Sequence, residues 1–177
     1  MSLLKGQRSI QTIIFPLSPS LRPSYGNHLY RWLFAISAPC PFSSIDFPST
    51  SQQNIFSPSS VWEIYEVAPQ PVIRSSSSSQ SQAHQLQPTF HYLPSADLTT
   101  HQLIDMQAHF IPLCVADENM RDVFLEKVDR YITFPPTDKG FNDQTFVLGV
   151  VEELKGEGYL GEEEYAAWVE AVGGFRG

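Results

Sequence analysis

The chain is short of charge. Only 17% of its 177 residues are Asp, Glu, Lys or Arg, against roughly 25% in an ordinary soluble domain. Serine, proline and glutamine stand in their place, which is the composition of loops and linkers. Basic clusters are missing as well. Residues 1–116 carry five acids and five bases, whereas residues 117–177 carry fourteen acids and six bases and so hold the whole net charge of −8. Phosphate backbones and anionic lipid surfaces are held by Lys and Arg clusters, so neither nucleic-acid nor membrane-surface binding is expected. No apolar run approaches the roughly 18 residues that span a bilayer. Two cysteines, Cys40 and Cys114, are too few for a disulfide framework. One bridge is open to them, but two free thiols in a reducing, cytoplasmic compartment is the simpler reading. Glycine-rich phosphate loops, a G-x-S-x-G elbow, a Ser-x-x-Lys pair and a dinucleotide fingerprint are all absent, and no cofactor is implied.

The N-terminus is poor in acids: Lys5, Arg8, Arg22 and Arg31 are the only charges before Asp46. That has the flavour of an organellar transit peptide, yet prolines break "TIIFPLSPSLRPS" and leave no long amphipathic helix. A strand "QTIIF" followed by a loop accounts for it more simply. Residues 1–20 are read as a variable N-terminal segment and residues 21–177 as one domain, a length that suits a single core. With 42% hydrophobic and 12% aromatic residues, that core leaves room for unstructured insertions, expected near 37–60 and 74–88. The first is rich in proline and serine. The second, "RSSSSSQSQAHQLQ", cannot bury enough apolar surface to offset the entropy of ordering it.

Around the insertions the pattern is strand-like. "LYRWLFAI" (Leu29 to Ile36) is aromatic and aliphatic enough for a buried strand. "VWEIYEV" (Val61 to Val67) alternates, with Val61, Glu63, Tyr65 and Val67 on one face and Trp62, Ile64 and Glu66 on the other. The two should pair antiparallel. "TFHYLP" looks like a third strand. In "DLTTHQLIDMQAHFIPLCV", Asp97 is a candidate cap for a short helix, and "HFIPLCV" is strand or loop. The last third is helical. Asp117 should cap a helix with Met120, Phe124, Val128 and Tyr131 on one face, ended by Pro135-Pro136 and a "TDKG" turn. Asn142 or Asp143 should cap a second helix with the stripe Phe146, Val147, Val150, Val151 and Leu154, stopped by Gly156. A third should bury Tyr165, Trp168, Val169 and Val172, its acidic opening Glu162-Glu163-Glu164 suiting the positive end of the helix dipole. The expected fold class is α+β, a small antiparallel sheet with helices packed on it.

The strand "YRWLFAI", the strand "WEIYEV" and the helix opening "NDQTFVLGVVEEL" together resemble uncharacterised fungal proteins with a His-Trp strand and an Asn-Cys-x-x-Trp-Val helix. That order is similar to permuted papain-like proteins of the lecithin retinol acyltransferase group. In such proteins a helix N-terminus lowers a thiol's pKa and a nearby imidazole completes the nucleophile–base pair. Carried onto this chain, Trp32 matches the tryptophan, Asn142 the asparagine, and Phe146 and Val147 the Trp-Val pair. The chemical positions do not match: Arg31 stands where the histidine would be and Asp143 where the cysteine would be. The resemblance therefore implies a catalytic dyad replaced by two opposite charges placed to pair, and a non-catalytic cleft lined by Arg31, Trp32, Asn142 and Asp143. The residues themselves admit a plainer reading, in which Asn142-Asp143 only caps a helix.

Other constellations are weaker. His109 and Cys114 lie five apart, and His28 and His91 sit near expected strands, so a displaced Cys–His pair is conceivable, but one is expected by chance with two cysteines and five histidines, and Cys114 in "IPLCV" reads as a small buried apolar residue. The gaps between His84, His91, His101 and His109 match no tight metal signature. "EGYLGEEEYAAWV" has the cadence of half a calcium loop, but Lys155 puts a cation where a carboxylate belongs. Glu63 and Glu66 fall on opposite strand faces and form no evident acid/base pair. Trp62, Tyr65 and Trp168 are either core or a partner-binding surface. The expectation is a binding or accessory protein whose partner is a small molecule or, given the acidic helices, a basic protein. The alternatives are a small-molecule enzyme with acid/base groups not evident from sequence, and an interaction module built on the acidic C-terminal helices.

Overall fold

The structure is a computed structural model and describes residues 6–25, 28–38, 61–69, 90–93, 97–134 and 141–175. Six strands, β1 (Arg8–Pro16), β2 (Tyr30–Ser37), β3 (Val61–Pro69), β4 (Phe90–Leu93), β5 (Asp97–Thr99) and β6 (His109–Ala116), form one antiparallel sheet. Four helices, α1 (Thr100–Asp105), α2 (Glu118–Thr133), α3 (Asp143–Gly156) and α4 (Glu162–Gly173), lie in the C-terminal half. The fold is therefore α+β, as the patterning indicates. Strand order is β4-β3-β2-β1-β6, and β5 shares the outer edge of β3 with β4. The sheet begins before residue 21. The expected strand "QTIIF" lies within β1, held by β2 on one edge and β6 on the other. The expected insertion near 37–60 overlaps the end of β2 at Ser37; the rest of it from residue 39, the insertion near 74–88, the Pro135-Pro136 stop and the "TDKG" turn lie outside the described residues.

The sheet is buried on both faces, which is why β1 and β2 read as nearly continuous apolar runs rather than alternating ones. Ile10, Ile14, Trp32, Phe34, Ile36, Tyr65 and Val67 face α2, α3 and α4, in a core completed by Phe124, Val128 and the α3 stripe. Every member of that stripe, from Phe146 to Leu154, is fully buried. Ile13, Phe15, Leu33, Ala35, Trp62 and Ile64 take the other face with Leu103 of α1. The alternation read from "VWEIYEV" is the one observed. Phe34 sits at the centre of the larger core, edge-on to Phe124 at 5.0 Å and to Phe146 at 5.7 Å, geometry that the ring quadrupoles favour.

Two indoles tie the layers together. Trp168 of α4 donates Nε1–H to Thr12 Oγ1 of β1 at 2.9 Å, and Trp62 of β3 donates Nε1–H to Thr100 Oγ1 of α1 at 2.8 Å. Trp62, Tyr65 and Trp168 are 0%, 8% and 1% exposed, so they are core and not a partner-binding surface.

Local chemistry sets the helix ends. Asp117 caps α2 through Met120 N–H, as its position indicates. Asp97 does not cap α1: it lies in β5, and Thr99 caps instead, exchanging hydrogen bonds with Gln102 in a capping box. A Thr with Gln three residues on is the stronger signal. Gly156 does not stop α3 but is its last residue; the chain reverses two residues later at Gly158, which takes φ +80°, a conformation glycine adopts without steric cost.

Helices α2 and α3 approach closely where Tyr131 lies against Gly149. A Cβ on Gly149 would meet Tyr131 Oη at 2.3 Å and Cζ at 2.6 Å. Gly149→Ala should therefore destabilise the fold by about 1–3 kcal/mol through overpacking, although alanine is the better helix former. In a Tyr131→Leu background the same change should cost little or become stabilising. Urea denaturation of the four proteins measures this, and an equal cost in both backgrounds would reject the contact.

Candidate functional site

The site is built where α3 meets the start of β2. Asn142 caps α3 reciprocally: its Oδ1 accepts Thr145 N–H at 2.9 Å, while Thr145 Oγ1 accepts Asn142 N–H at 2.7 Å. This fixes the first helical residue, Asp143, against the sheet. The β2–β3 ladder runs from Ser37↔Trp62 to Phe34↔Tyr65 and goes no further, so the backbone N–H of Trp32 needs another acceptor. Asp143 Oδ2 supplies it at 2.7 Å. The carboxylate thus takes the place of a missing strand partner and docks α3 onto the sheet.

Asp143 is 0% exposed and its Oδ1 accepts no hydrogen bond. Burial pushes its pKa up to about 6, against the counter-pull of Trp32 N–H, His28, its own backbone N–H and Arg31. His28 lies at the same helix mouth, its Nε2 3.3 Å from Asn142 Nδ2.

Arg31 sits beside this junction and is paired elsewhere. Its guanidinium pairs with Glu66 and lies over the rings of Phe15, at 5.4 Å, and Tyr25, at 5.7 Å. Tyr25 is held by a short 3-10 turn, Arg22–Tyr25. Burial raises the Glu66 carboxyl against the pull of Arg31. Burial likewise raises the Tyr25 phenol, which Arg31 opposes while Glu66 and Asp143 add to the shift.

Of the four residues expected to line one cleft, Trp32, Asn142 and Asp143 come together. Arg31 is adjacent in sequence but serves a different pair. The expected Arg31–Asp143 pairing is corrected: alternation along β2 turns Arg31 to the face of Leu33 and Phe15, where Glu66 is the carboxylate in reach, while Asp143 is occupied by the Trp32 backbone. Sequence reasoning missed Tyr25, Gln144 and Glu66 as members, and weighed His28 only as a partner for a thiol. Glu66 was findable, because its strand parity places it on the face that Arg31 takes.

The remaining candidates disperse. Cys114 is buried and burial lifts its thiol to about 12, so it stays protonated and is no nucleophile at neutral pH. His109 stacks on Phe175 at 4.8 Å, and His101 lies on the surface near Asp105. Cys40 and His84 lie outside the described residues, as does the side chain of His91. Among the described residues no group of His, Cys, Asp and Glu is arranged to hold a metal ion, and no helix is long and apolar enough to cross a membrane. No protein-family model, curated protein or solved structure matches the chain.

Asp143 gives the fold a defined pH response. Its folded pKa lies above its ordinary value of 3.8, so the native state binds the proton more tightly than the unfolded chain. Its contribution is fully present below about pH 4 and is lost as pH rises through about 6. Asp143→Asn keeps an acceptor for Trp32 N–H and removes the buried charge. It should be more stable than wild type at pH 7–8, by at most on the order of 3 kcal/mol, with the gap closing towards pH 4. Asp143→Ala leaves Trp32 N–H unpaired and should lose about 1–3 kcal/mol relative to Asp143→Asn at every pH. Thermal denaturation across pH 4–8 checks both, and a wild-type minus Asp143→Asn difference that is flat with pH would contradict the assignment.

Proposed function

We propose that the protein is a non-catalytic binding or accessory protein, with a fold related to the permuted papain-like group and its thiol chemistry lost. One observation carries this reading. Asp143, the residue matching the nucleophile position of that group, is fully enclosed and committed to the backbone of Trp32. A carboxylate employed as a strand partner cannot leave to attack a substrate without undocking α3. Arg31, matching the base position, carries five N–H donors and no acceptor and is tied to Glu66. What remains at the helix mouth is a recognition surface: His28 and Asn142 half-exposed, with the polar edge of α3 behind them.

A second reading is favoured by His28. An imidazole at the helix mouth, near a carboxylate held at about 6, is the kind of acid/base pairing that active sites use. A small-molecule enzyme is therefore the alternative. The acidic exposed residues Glu162, Glu163 and Glu170 of α4 fit the further reading of a surface for a basic protein.

Purified full-length protein assayed with chromogenic esters, thioesters and anilides at pH 5–8 should turn over none of them above the buffer rate. Turnover abolished by Asp143→Asn and by His28→Ala would overturn the non-catalytic reading in favour of the enzyme.

A further inference from the structure

Serine stands in for charge along this chain, and the exposed serine hydroxyls of the described residues gather at one place. Ser9 and Ser37 are buried, whereas Ser18, Ser20 and Ser24 are exposed and all lie on the connection between β1 and β2. Of these, Ser18 alone precedes a proline, Pro19. A proline ring biases the residue before it towards extended backbone. Proline also has no N–H to offer, a feature by which proline-directed kinases select the serine before it. Pro19, Ser20 and Leu21 are exposed beside Ser18, so the hydroxyl is open to a second protein.

A cation lies next to that hydroxyl. The Arg22 guanidinium folds back to donate Nε–H to Leu17 O at 3.3 Å, the carbonyl of the peptide that enters Ser18. Leu21 N–H and Arg22 N–H both donate to Ser18 O, at 2.9 and 3.3 Å, and Ser20 Oγ lies 3.0 Å from Ser18 Oγ. The turn thus wraps Ser20 and Arg22 around Ser18. Among the described residues no carboxylate pairs with Arg22, and no acid occurs in the sequence before Asp46. A neutral carbonyl is a modest partner for a guanidinium. A phosphate accepts two parallel N–H bonds from it, each roughly twice as strong as a neutral one.

The same turn reaches the helix mouth. Ser24 N–H donates to Leu21 O at 3.0 Å and His28 N–H to Tyr25 O at 3.3 Å, and the Tyr25 ring lies 5.7 Å from the Arg31 guanidinium. A charge added at Ser18 therefore acts on the segment that carries His28.

We propose that Ser18 is a phosphorylation site and that Arg22 holds its phosphate. In the transfer, Ser18 Oγ forms a bond to the γ-phosphorus of a nucleoside triphosphate bound by a separate kinase. The bond from that phosphorus to the β–γ bridging oxygen breaks, the nucleoside diphosphate leaves, and the hydroxyl proton passes to a base of the kinase. The turn gains a charge of about −1.5 to −2 in a stretch whose only charged residues are basic. The site stands whether the helix mouth binds or catalyses.

Folded full-length chain incubated with magnesium ATP and a proline-directed serine/threonine kinase should take up phosphate at Ser18, located by peptide mass mapping and lost in Ser18→Ala. Alanine keeps the backbone carbonyl that closes the turn, so that variant remains folded. No incorporation overturns the site. So does incorporation that omits Ser18 and falls on Ser20 or on Ser57, the chain's other serine before a proline. The 31P signal that Ser18→Ala removes then tests the contact. It should titrate about half a pH unit lower in the wild-type chain than in Arg22→Gln, the scale of an exposed ion pair. Equal titration in the two chains overturns the role of Arg22.

Discussion

The hydrogen bond from Trp32 N–H to Asp143 Oδ2 is the constraint on which the rest of the arrangement depends. Where β2 and β3 part, a sheet would ordinarily leave a backbone donor to water or to an added strand. Here a helix N-terminus closes the gap with a side chain. Because Asn142 fixes the first turn of α3 through its capping box with Thr145, the position of Asp143 is set from the helix side as firmly as Trp32 is set from the sheet side. The stripe Phe146, Val147, Val150, Val151 and Leu154 then falls on the sheet, and α2 and α4 pack beside it. The same bond explains the electrostatics: the carboxylate must be dry to replace a strand, and dryness is the largest cause of its raised pKa.

A buried carboxylate and a half-buried ion pair flank β2. On one face Asp143 serves the backbone; on the other Arg31 and Glu66 serve each other, with Phe15 and Tyr25 against the guanidinium. Single-residue alternation in the strand keeps them apart. Had Arg31 and Asp143 paired, Glu66 would have been left as a half-buried carboxylate without its cation. The arrangement therefore gives each of the three charged groups a structural partner, although one oxygen of Asp143 and the Nε of Arg31 make no hydrogen bond.

Much of this was legible in the sequence, for definite reasons. The α3 stripe was readable because five large apolar residues keep helical spacing under a cap, and the faces of β3 were readable because alternation survives in Trp62 to Val67. The antiparallel partnership of β2 and β3 followed from adjacency. Less legible was β1, because a strand covered on both faces loses its alternation and looks like a bare apolar run. The α1 cap was misplaced because Asp97 and Thr99 are both good cap residues, and only Gln102 decides between them. The site was half readable. Asn142 and Asp143 announce a helix start, but neighbours brought from 111 residues away, as Trp32 is to Asp143, leave no local trace. Gln144 gave no signal, since nothing in its surroundings says that it will be buried.

The indole of Trp168 reaches back 156 residues to Thr12. That span has a consequence for assembly. β1 and β2 are made before the helices, and local pairing can form at once, but the side of that hairpin facing the helices is covered only as α2, α3 and then α4 emerge, and Thr12 waits for residue 168. Contacts closed over such separations slow the search for the native state, and a half-covered hairpin is prone to pair with other chains while it waits. The early strands therefore depend on helices made later for protection, with α4 completing it, and synthesis itself sets the interval over which they go without it.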